Sequence, residues 1–258
     1  MPLQLPFDAA VVMPTTLRPS IYYALVSVFR QAFEGRVQVL IGLDRPDSLA
    51  PVEAACAHRP EGWTVQVYWP GYSTSVRHGG LSPARDGGAL RCVLTHLANS
   101  PFVAYLDDDN WWDEAHLSSL RATIEGCDWA FSLRWFVHPE SKRPVCIDEW
   151  ESVGPGAGVF KEMFGGFVDP NCLMLDKRRC EAVIGQWNRP LPNDQQGMSA
   201  DRNVFGALRR LRGAGTGQAT AYYVVNVHDG MQPFRLQAMG EAWHRAALGA
   251  EGVLSGAG

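Results

Sequence analysis

Several common chemistries leave no trace in this 258-residue sequence. No G-x-G-x-x-G follows the first apolar run, which argues against a nicotinamide enzyme. None of the six cysteines (Cys56, Cys92, Cys127, Cys146, Cys172 and Cys180) forms a C-x-x-C pair or a Cys/His cluster with zinc spacing. Reduced, mostly buried thiols in a cytosolic protein are the simplest expectation. Apolar stretches are too short to span a membrane, and residues 1–6 lack the basic n-region of a signal peptide. The expected location is the cytoplasm, with attachment to the membrane periphery left open. Positive charge is scarce: 23 Lys+Arg face 27 Asp+Glu, a formal net charge of −4. A nucleic-acid partner needs a basic surface and is not expected. Internal repeats and clear linkers are also missing, so residues 1–258 read as one domain. The tail Leu254-Ser255-Gly256-Ala257-Gly258 reads as disordered.

What is present suits a packed α/β domain. At 46% hydrophobic and 19% charged residues, the chain can bury a full core. Residues 9–13 read as a strand. Ile21, Ala24, Leu25, Val28, Phe29 and Ala32 then repeat at helical spacing. Strands follow at 37–43 and 64–68, with a short helix at 49–57 between them. A Gly-rich loop, 71–88, leads into a helix carrying Leu90, Val93, Leu94 and Leu97. This β-α-β-α-β-α-β order predicts a parallel sheet covered on both faces. The second half predicts strands at 129–137, 144–147, 173–175 and 221–227, and helices at 177–187, 200–211 and 234–248. Residues 188–197 read as a mobile Pro/Asn/Gln-rich loop.

The most informative stretch runs from Phe102 to Asn110, where the apolar run Val103-Ala104-Tyr105-Leu106 stops at Asp107, Asp108 and Asp109. Three anions at one strand end repel one another. A hard divalent cation, Mg²⁺ or Mn²⁺, resolves that repulsion and is usually partnered by substrate phosphates. Open α/β sheets bind ligands beyond the carboxyl ends of their strands, so a metal-assisted phosphate or nucleotide-sugar site is one reading. An acidic turn followed by a helix capped by Asp113 is the other.

Four segments, taken in order, resemble a family 2-like, GT-A fold glycosyltransferase. They are Val11-Val12-Met13-Pro14-Thr15-Thr16, Leu40-Ile41-Gly42-Leu43-Asp44, Ser82-Pro83-Ala84-Arg85-Asp86-Gly87-Gly88-Ala89-Leu90 and Tyr105-Leu106-Asp107-Asp108-Asp109. The resemblance covers residues 10–227 and departs at Asp86, where the family usually has Asn. It implies a Rossmann-like, mostly parallel central sheet flanked by helices. A nucleotide-binding half, about 8–110, would precede an acceptor half, about 111–248.

The resemblance also assigns roles. Thr15 and Thr16 would line the nucleotide pocket, with Arg18 approaching the phosphates. Asp44 would accept from the base, and Arg85 and Asp86 would flank base and ribose. Asp107 would face the ribose, with Asp108 in the middle position of the nucleotide-binding set. Asp109 would bind Mn²⁺ or Mg²⁺, assisted by His228 or, alternatively, Asp229. Asp201 matches the position of the general base, although no Glu precedes it, and Asp194 is the fallback. Trp111, Trp112 and Trp150 could form an aromatic platform for the acceptor sugar, though a core role fits Trp112 equally. The implied reaction moves a sugar from a UDP- or GDP-linked donor to a hydroxyl of a saccharide or lipid-linked acceptor, with inversion. Two rivals stay open. One is a nucleotide- or sugar-binding protein without catalysis. The other is an aspartyl phosphatase or phosphotransferase, which would more usually carry its motif on the first strand.

Overall fold

The computed structural model describes residues 6–45, 47–84, 87–192 and 200–248. Strand β1 (Ala9–Thr15), helix α1 (Ile21–Phe29), strand β2 (Val37–Leu43), helix α2 (Ala50–Cys56) and strand β3 (Thr64–Tyr68) come first. Then follow α3 (Gly88–Leu97), β4 (Phe102–Tyr105), β5 (Trp111–Trp112), α4 (His116–Thr123), β6 (Trp129–Val137) and β7 (Pro144–Ile147). The last third holds β8 (Gly154–Pro155), α5 (Lys161–Phe164), β9 (Gly166–Phe167), β10 (Leu173–Asp176), α6 (Glu181–Ile184), α7 (Ala200–Leu208), β11 (Gly213–Val224), α8 (Gln232–Met239) and α9 (Glu241–Leu248).

Among the described residues, nine strands make one sheet in the order β3-β2-β1-β4-β10-β6-β11-β5, with β7 added to β6. Every residue of β1 and β2 is buried, as expected of parallel strands covered on both faces. Leu90 and Leu94 of α3 pack onto β2 at Gly42, where a Cβ would come within 2.8 Å of Leu94. The apolar face of α1, formed by Ile21, Ala24, Leu25 and Val28, is buried in the same core.

β1 runs parallel to β2 on one side and to β4 on the other. The chain therefore leaves β1 in both directions, and a crevice opens at the carboxyl ends of β1 and β4. The β3-β2-β1-β4 half of the sheet is parallel throughout, as expected. The other half is mixed, because β10 runs antiparallel between β4 and β6, while β6 is parallel to β11.

Three sequence expectations change. β11 begins at Gly213, eight residues before the apolar run that announced it. The expected 177–187 helix is a short α6 followed by a 3-10 turn, Gly185–Asn188. The terminal helix breaks at Gly240, whose φ of +52° an α-helix does not contain. The predicted mobile loop is described only as far as residue 192, and the 254–258 tail lies outside the described residues.

Candidate active site

A cleft of ≈ 700 Å³ lies beyond the carboxyl ends of β1, β2 and β4. Thr15, Thr16, Arg18, Asp44, Asp107, Asp108, Asp109 and Asp201 all line it. Residues far apart in sequence thus converge on one cavity. Arg85, Asp86 and Asp194 lie outside the described residues.

The three carboxylates are separately held. Asp108 is buried and accepts from Thr15 Oγ1 at 2.5 Å and from Arg18 Nε at 2.9 Å. Arg18 Nη1 reaches past it to Asp109 at 2.8 Å. Asp107 pairs with Arg91 and accepts from Asn171 Nδ2 at 3.0 Å. Burial pushes the Asp109 carboxyl up to about 6; Arg18 opposes the shift, and Asp107 and Asp108 add to it. Among the contacts of the described residues, Asp109 has a single partner, Arg18, where Asp108 holds Thr15 and Arg18 and Asp107 holds Arg91 and Asn171.

That imbalance fits a hard divalent cation. Among the described residues, no group of three Asp, Glu, His or Cys side chains is arranged to hold a metal. A cation here would need most of its ligands from elsewhere, which is how Mg²⁺ usually binds: one or two carboxylates plus substrate phosphates. Asp109 is the residue suited to it. His228 is exposed and is not among the cleft-lining residues, its backbone N–H donating to Asn226 Oδ1 at 3.0 Å. Asp229 does line the cleft, where it pairs with Arg235 at 2.9 Å.

Asp44 lines the cleft at the end of β2, but its oxygens are engaged. Ser73 Oγ, Thr74 N and Thr74 Oγ1 donate to it at 2.8, 2.9 and 3.0 Å, and His78 Nδ1 lies at 2.8 Å. Burial alone would raise this carboxyl. The hydrogen bonds from His78, Ser73 and Thr74 outweigh it and hold the group below the usual carboxylate range. Asp44 thus clasps the loop that follows β3.

Asp201, also a cleft-lining residue, sits in the first turn of α7 and pairs with Arg202 at 2.7 Å. The Arg202 guanidinium in turn lies 3.8 Å from the centre of the Phe167 ring, a cation–π contact that fixes its direction.

Sequence reasoning missed a buried polar network at this end. Arg134 donates to Asp148, Asp169 and Glu151 at 2.8, 2.5 and 2.9 Å. Glu151 also accepts from Arg235 at 2.8 and 2.9 Å. Tyr223 stands against both guanidiniums, 4.1 Å from Arg134 and 5.5 Å from Arg235. Arg134, Glu151, Asp169, Tyr223 and Arg235 all line the cleft. The signal was present in β6, where Arg134 falls on the same face as the buried Ala130, Ser132 and Phe136. A fully buried arginine demands partners.

The three tryptophans do not form a platform in this cleft. Trp112 is buried, stacks on His116 at 4.3 Å and donates its indole N–H to Asn171 O at 2.8 Å. Trp111 stacks on Tyr222 at 5.5 Å. Neither of them, nor Trp150, is among the cleft-lining residues. β5 pairs with β11, which holds Trp111 and Trp112 at the sheet's end rather than over the crevice.

Outside the cleft, all six cysteines are free thiols; Cys172 and Cys180 are buried and the other four half-buried. Among the described residues, no helix is long and apolar enough to cross a membrane.

No family model matches the sequence, and no curated protein sequence matches it. Solved structures do. The structure of S. aureus TarS superposes with a TM-score of 0.60 and 17% identity, over 90% of this chain and 39% of that one. TarS 1–349 in complex with UDP-GlcNAc gives 0.58 and 17%, over 87% of this chain and 60% of that one. TarS 1–349 in complex with UDP gives 0.57 and 18%, over 93% and 70%. The chain thus spans only 39% to 70% of the TarS structures it resembles. At such identities the likeness concerns the backbone, and this chain shares with TarS a Rossmann-like α/β fold, with a curled central sheet flanked by helices.

Proposed function

We propose that this chain transfers a sugar from a nucleotide-diphosphate donor to an acceptor hydroxyl. One observation carries the reading. A single cleft gathers Thr15, Thr16, Arg18 and Asp107 to Asp109 together with a further carboxylate, Asp201, at the start of α7. TarS, with the same fold, has been solved with UDP-GlcNAc and with UDP, and a UDP-linked donor is therefore the first choice here, ahead of a GDP-linked one.

In this reading Thr15 and Asp108 fix the floor beneath the diphosphate, and Arg18 reaches its oxygens. Asp107 faces the ribose. Asp109 would hold Mg²⁺ or Mn²⁺, whose charge would stabilise the departing nucleotide diphosphate. Asp201 takes the proton from the acceptor hydroxyl as it attacks the anomeric carbon from the face opposite the leaving group, which inverts that centre. The buried Arg134–Glu151–Arg235 network forms a rigid wall on the acceptor side, against which a saccharide or lipid-linked acceptor would lie.

A second reading, nucleotide-sugar binding without catalysis, draws on one observation: the Asp201 carboxylate is already paired with Arg202. The experiment is a thermal-shift screen of UDP- and GDP-linked sugars with Mn²⁺, followed by a donor-hydrolysis assay with each stabilising sugar. Stabilisation follows mass action. Stabilisation with slow release of nucleotide diphosphate supports transfer, and stabilisation without turnover supports the binder. No stabilisation by any nucleotide sugar would remove both.

A further inference from the structure

Arg18 sits on the carboxylates that a cation would need. Its Nε and Nη2 atoms hold Asp108, and its Nη1 holds Asp109. The backbone around it is rigidly set. Leu17, just before it, has a φ of +61°, in the left-handed region that a leucine rarely adopts. Leu17 is buried, and its N–H donates to Thr15 Oγ1 at 2.7 Å. Pro19, just after it, fixes the next φ. Such strain persists only where the surroundings over-determine it, and it concentrates at ligand clamps. The side chain, by contrast, is 52% exposed at the cleft. The anchor is fixed, and the guanidinium, held by Asp108 and Asp109, is open to the cleft.

The two carboxylates differ in the same way. Asp108 is 2% exposed and is also held by Thr15, whereas Asp109 is 36% exposed. The Arg18–Asp109 contact is the one that can open without unpacking anything.

We propose that Arg18 is an exchange cation. With no ligand bound it neutralises Asp108 and Asp109. When a divalent cation arrives with a nucleotide diphosphate, the cation takes Asp109, and Arg18, its Nε still on Asp108, redirects Nη1 from Asp109 to a phosphate oxygen. Charge is conserved at each partner: Asp108 keeps Arg18, Asp109 exchanges Arg18 for the divalent cation, and the diphosphate gains a contact from each. Metal alone binds weakly, because it must displace Arg18 with nothing for the guanidinium to move to. Metal and nucleotide together bind strongly. This rests on the proposed nucleotide-sugar reading.

The test uses the whole chain, with Mn²⁺ and UDP as probes, followed by calorimetry. Wild type is compared with Arg18→Ala and Arg18→Lys, each first checked for an unchanged thermal transition in the absence of ligand. Arg18→Ala should bind Mn²⁺ alone at least about threefold more tightly, the scale of an exposed ion pair. The same variant should bind UDP in the presence of Mn²⁺ at least about tenfold more weakly, the scale of one hydrogen bond to a charged group. Arg18→Lys keeps the charge without the fork and should fall between the two on both measures. Opposite signs on the two probes are the signature. If Arg18→Ala weakens both, Arg18 merely orients the carboxylates and the exchange is wrong. If Mn²⁺ affinity is unchanged, the exchange is equally wrong while the nucleotide reading stands. Wild type that binds no UDP sinks the nucleotide reading and the exchange with it.

Discussion

Asn171 grips Asp107 from both ends of its own amide. The backbone N–H of Asp107 donates to Asn171 Oδ1 at 2.7 Å, and Asn171 Nδ2 donates back to Asp107 Oδ2 at 3.0 Å. The same Nδ2 reaches Asp169 Oδ1 at 2.7 Å, which in turn accepts from the Asn171 backbone at 2.9 Å. One buried amide therefore ties the end of β4 to the turn before β10 and links Asp107 to the Arg134 network.

Replacing Asn171 should loosen that tie. Asn171→Ala strands the Asp107 N–H and removes a partner from two carboxylates. A loss of about 1–3 kcal/mol is expected, the cost of leaving buried polar groups unsatisfied. Urea denaturation checks it, and a change within error would show that water replaces the amide. Asn171→Asp sets a third anion between Asp107 and Asp169 and should be the more damaging variant.

The raised Asp109 carboxyl has a pH signature. Its folded-state value, about 6, lies above the ordinary 3.8, so the folded chain holds this proton more tightly than the unfolded chain. The stability it contributes is fully present below about pH 4 and is lost as pH rises through about 6. Asp109→Asn removes the titration. The melting temperature of the variant, relative to wild type, should climb between about pH 4 and pH 7 in metal-free buffer. A difference that stays flat over that range would mean Asp109 ionises normally.

Asp201 is tested by separating binding from turnover. Asp201→Asn keeps the shape and removes the proton acceptor, so sugar transfer should fall by at least about 10²-fold, the lower end of general-base contributions. UDP affinity should hold, because Thr15, Arg18 and Asp107 to Asp109 are untouched. Near-normal transfer would move the base elsewhere, with Asp194 next in line. Lost UDP binding would assign Asp201 to the donor side or to the fold.

Arg134 is expected to be the most stability-critical charged residue of the cleft. Arg134→Met leaves Asp148, Glu151 and Asp169 without their common cation, and breaking a buried pair in this way costs about 3–5 kcal/mol. Burial would raise the Glu151 carboxyl, but Arg134 and Arg235 outweigh it and hold it below the usual range. The stability from that depressed value is present above the ordinary carboxylate pKa and is lost as pH falls through the depressed one. The variant should therefore lose part of its acid-induced unfolding as well as its overall stability. Equal stability with an unchanged acid limb would show that the network contributes nothing net.

Sequence pattern alone specified the parallel half of the sheet, β3-β2-β1-β4. β1, β2 and β4 are short runs of apolar residues, and α1 and α3 carry apolar stripes at helical spacing. Local pattern and final burial agree there, because each element needs only a two-sided core to be satisfied. The acidic end of β4 marked the cleft, since three adjacent anions repel one another and each needs a partner; Asp108 finds its partners inside, in Thr15 and Arg18, and Asp109 stays partly exposed at the cleft. Only the tertiary structure decided the rest. β11 opens with Gly213-Ala214-Gly215, a weak strand former on propensity alone. Its glycines are required by a neighbour: a Cβ at Gly213 would come within 2.2 Å of the Trp129 ring, and one at Gly215 within 2.8 Å of Phe131. Arg134, Glu151, Asp169 and Arg235 are scattered over 100 residues of chain, and no local pattern brings them together. Their pairing exists because β6, the turn before β10, and α8 meet at one end of the crevice, where burial leaves each charge in need of a partner. Trp112 shows the same limit from the other side. Its sequence suits a sugar platform or a core anchor equally, and the pairing of β5 with β11 turned it inward.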